Sequence, residues 1–498
     1  MYVCGMKLKQ YGGMYTFILS IVLLVGTFCS CTNSKAHNEE KIPKLKFHDT
    51  NFTVWVDNQY IPTHVCKIAP GDLERRTKAM DDVVNSKLYY DTATFAYFGL
   101  KEGGADIRIF YPEKINTVKI LPSSSAIVSS IQNDFVSFRL NKPENLTIEI
   151  NGDYINSLHL FANPPETDIP EEKDPDVLYF GPGIHELSHL EVRDNHTLYI
   201  AEGAVIKGFV DPDESYYTKE NGIRVYAPLI DIKGKNIKIK GRGIIDCENI
   251  PTHGKNTMRI TGENISVEGI IIENSSAWTM PIFYSKNISI KNVKIFGHRA
   301  NSDGIDICSS HNVTVDGCFL RTLDDLIVVK VLADDGRSAK DRTAGDIVVK
   351  NCVLWNQVAH ALSIGAEITS DVSNVVFENC DVIHDIGREH TLRIYHTDAA
   401  TVQNVKFDDI RIEESKNLIS LWIGEAYWTS DTQRGNITDV TFSNISAWGD
   451  PLRIELKGNG SDSKIDKVLL KNISLNNNPL TPENVGSNEF VTNMIITP

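Results

Sequence analysis

The nine cysteines of this 498-residue chain form no Cys-x-x-Cys pair and follow no metal-ligand spacing, which argues against a zinc or iron–sulfur module. Positive charge is also in short supply. Fifty Lys and Arg face 65 Asp and Glu, a formal net charge of −15. No basic patch is available to neutralise phosphates, so nucleic acid is not an expected partner. An acidic polysaccharide is still admissible, because a cleft can be locally positive. Helical periodicity is scarce. The apolar stretch 17–28 is too short to span a membrane and has the wrong flanks for it.

That stretch follows Lys7 and Lys9, and together they read as an export signal over residues 1–31. Removing it leaves 48 basic residues (50 − 2) against 65 acidic ones, near −17. The segment Phe28-Cys-Ser-Cys31 resembles a bacterial lipoprotein cleavage box, with Cys31 as the lipidated first residue. The expected location is therefore an exported one: an outer-membrane or cell-surface lipoprotein, or the periplasm. A polar tether occupies 32–44.

From 45 to 165 short runs alternate with period two, as in Phe52-Thr-Val-Trp-Val and Ala105-Asp-Ile-Arg-Ile-Phe-Tyr. They predict an antiparallel β-sandwich, a small accessory domain without a convergent set of titratable residues. The acidic, proline-containing stretch 166–176 reads as a linker.

From 177 to 498 a polar residue, usually Asn, repeatedly precedes a β-branched run: Asn236, Asn264, Asn287, Asn312, Asp346, Asn374 and Asn404. Fixed-face repetition with loops of variable length is the signature of a solenoid, and short strands make it a β-solenoid. The fold class is thus all-β: a parallel β-helix preceded by the sandwich. Stacked Asn would bond coil to coil at the turns. Cys318, Cys352 and Cys380 share one local context and would stack as a buried ladder.

Within the repeats, residues 301–330 concentrate acids. Asp303 and Asp324 are 21 residues apart (324 − 303), about one coil, with Asp325 adjacent. Residues one coil apart are neighbours on a wall roughly 4.8 Å apart. Clustered carboxyls push one pKa up, which is what glycoside hydrolysis by an acid and a base requires. The plain alternative is that each Asp is an ordinary turn residue. His384, His390 and His396 read as surface or turn residues, and Trp278 as core. Trp422, Tyr427 and Trp428 could stack on sugars or pack the core.

These motifs together resemble glycoside hydrolase family 28, the polygalacturonase family, especially its bacterial members. The similarity lies in Gly241-Arg-Gly-Ile-Ile-Asp, Asn274-Ser-Ser-Ala-Trp-Thr, Asn301-Ser-Asp-Gly, Asp324-Asp-Leu-Ile-Val-Val-Lys330, Ala359-His-Ala and Arg393-Ile-Tyr395. The resemblance implies a right-handed parallel β-helix and an inverting hydrolase of pectic polysaccharide or oligosaccharide that needs no cofactor and no metal. It implies Asp324 as general acid, Asp303 and Asp325 as the pair that activates water, and His360 as the group that tunes them. Asn301, Lys330, Arg393 and Tyr395 are the implied substrate-binding residues. Three departures stand out: Leu326 where the family has Cys, Ala359 and Ala361 where it has Gly, and Tyr395 where it has Lys. The last removes a cation that relatives use on a galacturonate carboxylate. Rival readings are a neutral α-glycan hydrolase similar to the dextranase family in layout, a calcium-dependent lyase, and a non-catalytic carbohydrate-binding solenoid.

Overall fold

The structure is a computed structural model and describes residues 51–219, 221–333 and 337–498. The proposed signal, Cys31 and the tether lie outside the described residues.

Residues 53–163 form two five-stranded sheets. In Ala105–Phe110 and Phe135–Leu140 alternate residues are buried. Ile107, Ile109, Val136 and Phe138 meet Leu146, Ile148, Leu158 and Leu160 of the other sheet. The expected alternation is there, but one pairing differs from the prediction: Asp153–Asn163 runs parallel to Asp91–Gly99. A helix, Leu73–Asp81, also stands where no helix was expected. Asp72 caps it by accepting the Arg75 N–H at 2.8 Å, and its residues are mostly good helix formers. It lacks an apolar stripe, so the periodicity that normally betrays a helix is missing.

No strand or helix occurs between Asn163 and Val177. From Val177–Phe180 to Ile495–Thr497 the described chain winds into one sheet of 30 strands, nearly all paired in parallel. This is a right-handed parallel β-helix. Its interior is a column of Ile, Val, Leu and Phe. On one wall Ile260, Ile282, Ile307, Val329, Ile364, Ile394 and Leu421 stack and are essentially inaccessible. Each such side chain contributes roughly 1.5–3 kcal/mol by burial. Phe377, Phe407 and Phe442 stack at 4.7 Å between successive ring centroids.

The predicted Asn ladder is present. Asn236, Asn264, Asn287 and Asn312 all adopt positive φ, which Asn tolerates better than most residues. Each side-chain amide donates to the Asn of the coil before it, at 3.1, 3.2, 2.8 and 2.7 Å, beginning from Asn195. Asp346, Asn374 and Asn404 continue the pattern at 2.8 and 2.7 Å. Cys318, Cys352 and Cys380 occupy equivalent register positions and are buried and free.

The sandwich is joined to the helix by a core of its own. Phe95, Tyr97 and Phe161 pack on Phe296, Phe319 and Trp355. Arg321 is fully buried there, donating to His159 Nε2 at 3.0 Å and lying 3.6 Å from the Trp355 ring centroid. His384 bridges Glu149 Oε1 and Glu414 Oε2, each at 2.6 Å. The amino-terminal domain therefore does contribute to convergent titratable clusters, contrary to expectation. They were invisible because each is assembled from both domains. His384 is buried rather than superficial for the same reason, and His396 is buried within the solenoid itself, where its Nε2 meets Ala400 O at 2.6 Å.

Candidate active site

The wall that matters is built from Met280–Phe283, Ile305–Cys308, Ile327–Val331, Leu362–Ile368, Leu392–His396 and Asn417–Ile423, stacked in parallel. The acids lie in the turns entering two of these strands. Ile305 is paired with Ile327, a step of 22 residues (327 − 305), so Asp303 lies over Asp325. The expected stacking of Asp303 on Asp324 is thus off by one residue. The Gly304 N–H to Asp325 O bond, 2.8 Å, fixes this register. Gly304 is required at that point: a Cβ would sit 2.4 Å from Leu326 O.

One carboxylate oxygen from each of Asp303, Asp324 and Asp325 lies within 4.8 Å of the other two. Lys330 supplies the cation between them. Its ammonium is 3.0 Å from both Asp303 Oδ2 and Asp306 Oδ1, 3.6 Å from Asp325 Oδ2, and 4.3 Å from the Trp278 ring centroid. Burial works against this charge, but the three carboxylates overcome it and hold Lys330 protonated. Lys330, expected to bind substrate, is instead occupied inside the acid cluster. Trp278, expected in the core, is half-buried and covers that ammonium. Asp306 was not foreseen as a member, because it is buried within a strand that otherwise reads as apolar.

The acids have unequal environments. Burial, then the charges of Asp303 and Asp325, push the Asp324 carboxyl well above the usual range. Asp324 Oδ2 accepts the Asn301 N–H at 3.2 Å and Oδ1 accepts the Asp325 N–H at 3.0 Å. Burial also raises Asp325, to about 7, against the lowering effect of Lys330. Asp303 Oδ1 and Asp325 Oδ1 have no hydrogen-bond partner among the described residues. These are acceptor positions that a hydroxyl or a water could use.

His360 enters from the next coil. Its Nδ1 bonds His390 O at 2.8 Å, so Nε2 is the unprotonated nitrogen, and Arg393 Nη1 approaches it at 3.4 Å. Burial, then Arg393, keep its pKa well below the ordinary value, so this imidazole is neutral. Its backbone hydrogen-bonds the Asp325 carboxyl. Leu326 and Ala361 simply pack in the interior.

Beyond His360, Arg393 and Tyr395 project from one strand face, as expected, with the guanidinium 3.9 Å from the phenol ring centroid. Trp422 is on the following strand, 4.9 Å from the Tyr395 ring. On the other side of the acids, Asn301 borders a cavity of about 350 Å³ lined also by Trp278, Phe283, Tyr217, Tyr226 and Lys219.

The site's sequence signature extends over most of the solenoid. The sequence model of glycosyl hydrolases family 28 matches residues 219–488, which is 270 of 498 residues (488 − 219 + 1). The chain belongs to glycosyl hydrolases family 28. Within curated proteins, this family 28 chain is 26% identical over 192 residues to an exopolygalacturonase of Arabidopsis thaliana. The alignment takes in 37% of this chain and 42% of that relative, so the chain spans about two-fifths of its length. Among solved structures, the Thermotoga maritima exopolygalacturonase superposes with a TM-score of 0.51 at 20% identity, covering 64% of this chain and 83% of that one. Dex49A from Penicillium minioluteum superposes with a TM-score of 0.59 at 14% identity, over 89% of this chain and 93% of that one. At such identities the two structures bear on the fold alone.

Proposed function

We propose that this protein hydrolyses α-glycosidic bonds in a pectic, galacturonan- or rhamnogalacturonan-type glycan, by carboxylate acid–base catalysis without a metal. The observation that carries the reading is the buried trio Asp303, Asp324 and Asp325 around Lys330. The exopolygalacturonase relatives support pectin as the substrate class. Asp324, whose carboxyl is pushed well above the usual range by burial and then by Asp303 and Asp325, retains a proton and donates it to the leaving oxygen. Asp303 and Asp325, each with one uncommitted oxygen, orient and deprotonate water. Lys330 pairs with Asp303 and Asp325, and its charge lowers the pKa of Asp325 against the effect of burial. Asn301 aligns Asp324 through its N–H, and Arg393 with Tyr395 borders the next sugar.

The export signal and a lipid on Cys31 remain part of the proposal, on the strength of Phe28-Cys-Ser-Cys31. A membrane fraction unchanged by Cys31→Ser would remove the anchor from it. The catalytic reading is tested by incubating purified protein with pectic and neutral oligosaccharides and resolving the products. Saturated reducing ends are expected from a pectic substrate. Unsaturated products absorbing in the near ultraviolet would make it a lyase, and no product from any glycan would leave a binding solenoid.

A further inference from the structure

The side of the cleft beyond His360 has a definite character that the acid trio does not determine. Arg393 is its central cation, and that cation is already matched. Glu389 Oε2 accepts from Arg393 Nη1 at 2.6 Å, and the guanidinium carbon lies over the Tyr395 ring, 3.9 Å from its centroid. His360 and His390, its other titratable neighbours, are both held neutral: burial, then Arg393, drive His360 well down and His390 to about 4. Arg388 has its own acids, Asp81 at 3.5 Å and Glu389 at 3.9 Å.

Aromatic surface takes over where charge is balanced. Tyr395 meets Trp422 edge-on at 4.9 Å and Trp428 edge-on at 6.2 Å. Trp428 is half exposed and Tyr427 almost wholly exposed, at 94%. These rings are not on a free loop. Asp398, fully buried, accepts the N–H groups of Ser430 at 2.7 Å, Asp431 at 3.0 Å and Ile368 at 3.0 Å, tying the segment down at its base. A buried carboxylate with three such bonds fixes the aromatic segment against the strand that bears Arg393.

Arg393 stands two coils from Asp325, on the order of 10 Å at one strand spacing per coil, on the wall that a sugar chain crossing the trio would follow. We propose that the sugar ring lying against Arg393, Tyr395, Trp422 and Trp428 is uncharged, held by stacking and by a neutral hydrogen bond rather than by a carboxylate–cation pair. The uncharged ring has two chemical sources in pectin, a methyl-esterified uronate or a neutral sugar. The proposal rests on reading the trio as the cleavage point. A free uronate would have to compete with Glu389 for the guanidinium and bring a second negative charge beside it. An apolar sugar face meets no such obstacle and gains the aromatic contact.

The test is a binding titration with Asp324→Asn, which keeps ligands intact. Three oligosaccharides of equal length are compared: unmodified oligogalacturonate, its methyl ester, and one alternating galacturonate with a neutral sugar. At least one uncharged-ring ligand should bind tighter than the unmodified chain by roughly tenfold, the scale set by charge-assisted against neutral hydrogen bonds. Which one does so identifies the source. Glu389→Gln should narrow the gap by strengthening the unmodified chain, and Trp428→Ala should weaken only the favoured ligand. Equal or tighter binding of unmodified oligogalacturonate, or a gap indifferent to Glu389→Gln, overturns the proposal. Because binding is read without turnover, a wild-type protein that cleaves none of the three refutes the hydrolase reading separately.

Discussion

Ser86 Oγ accepts the backbone N–H of Ala300 at 2.7 Å, joining residues 214 apart in sequence. The same hydroxyl donates to Ala79 O at 2.5 Å and is fully buried. Ala300 is followed by Asn301, whose N–H contacts Asp324. Nearby, Ala69 and Ala79 pack on Leu323 and Val358, and Arg76 donates to Ile386 O at 3.0 Å. The helix Leu73–Asp81 and the turn after it thus brace the turns that hold the acids. Ser86→Ala would strand a buried N–H and a buried carbonyl, costing about 1–3 kcal/mol. The expected result is a lower melting temperature together with a kcat reduced roughly tenfold and KM little changed, since misplacement of a catalytic group acts on turnover. A variant that loses stability but keeps full kcat would show that Ser86 supports the fold alone.

What the sequence disclosed, and what it withheld, follows the range of the interactions. The Asn ladder was legible because positive φ and the β-branched run after it are local to each Asn. The clustering of Asp303, Asp324 and Asp325 was legible because the three carboxylates recur at about one coil's spacing. Their register was not: whether Asp303 covers Asp324 or Asp325 depends on the turn accommodating a 22-residue step. Lys330 read as a ligand-binding cation, since nothing in the sequence shows that alternation aims it at Asp303 and Asp306. Ser86, Arg321 and His384 were opaque for a plainer reason. Each has a partner in the other domain: Ala300, His159 and Glu149 respectively.

The unequal environments of Asp324 and Asp325 set the pH dependence. The proposed roles require Asp324 protonated and Asp325 ionised. With Asp325 near 7 and Asp324 raised well beyond the usual range, turnover should fall on the acid side as Asp325 takes up its proton. It should fall on the alkaline side as Asp324 gives up its own. Asp303→Asn, Asp324→Asn and Asp325→Asn should each lower kcat by about a hundredfold or more, with the fold intact by circular dichroism. Near wild-type turnover in any of them takes that residue out of the mechanism. The anomer of the first product is a further check. The nearest carboxylate oxygens are within 4.8 Å, closer than the roughly 6.5–9.5 Å between the carboxyl groups of inverting enzymes. Inversion is nevertheless expected from the family resemblance, and proton NMR of fresh product showing retention would make one of these acids a nucleophile.

Lys330 offers a cleaner electrostatic experiment. Lys330→Met removes the cation and leaves several carboxyls buried without compensation, at a cost of about 3–5 kcal/mol for a broken buried pair. Its effect on Asp325 has a definite sign: Lys330 lowers that pKa, so its loss raises it. The acid limb of the kcat/KM profile should therefore move to higher pH, and Lys330→Arg should largely restore it. An unshifted acid limb in a folded Lys330→Met protein would show that Asp325 is not the group titrating there.

Away from the cleft, Glu273 should make stability fall with rising pH. Lys207, Asp246 and Glu273 occupy matching positions on three successive coils, facing the sandwich. Lys207 is paired to Asp246, and Glu273 is left beside the Asp246 carboxylate with its Oε2 out of solvent and without a hydrogen-bond partner among the described residues. Burial, then Asp246, raise its pKa to about 8. A carboxyl whose folded pKa exceeds its unfolded one favours the folded state below the unfolded value, roughly pH 4.3, and that advantage is lost as pH rises toward the folded value. Across this window the loss is on the order of a few kcal/mol. Glu273→Gln has the same shape and never ionises, so it is immune to the effect. Melting temperatures of the two proteins should nearly coincide at about pH 5, and the variant should melt higher at about pH 8.5, as expected once the raised carboxyl must ionise. A difference that stays constant with pH would show that Glu273 is ionised throughout, compensated by Lys207 or, across the domain interface, by Lys67.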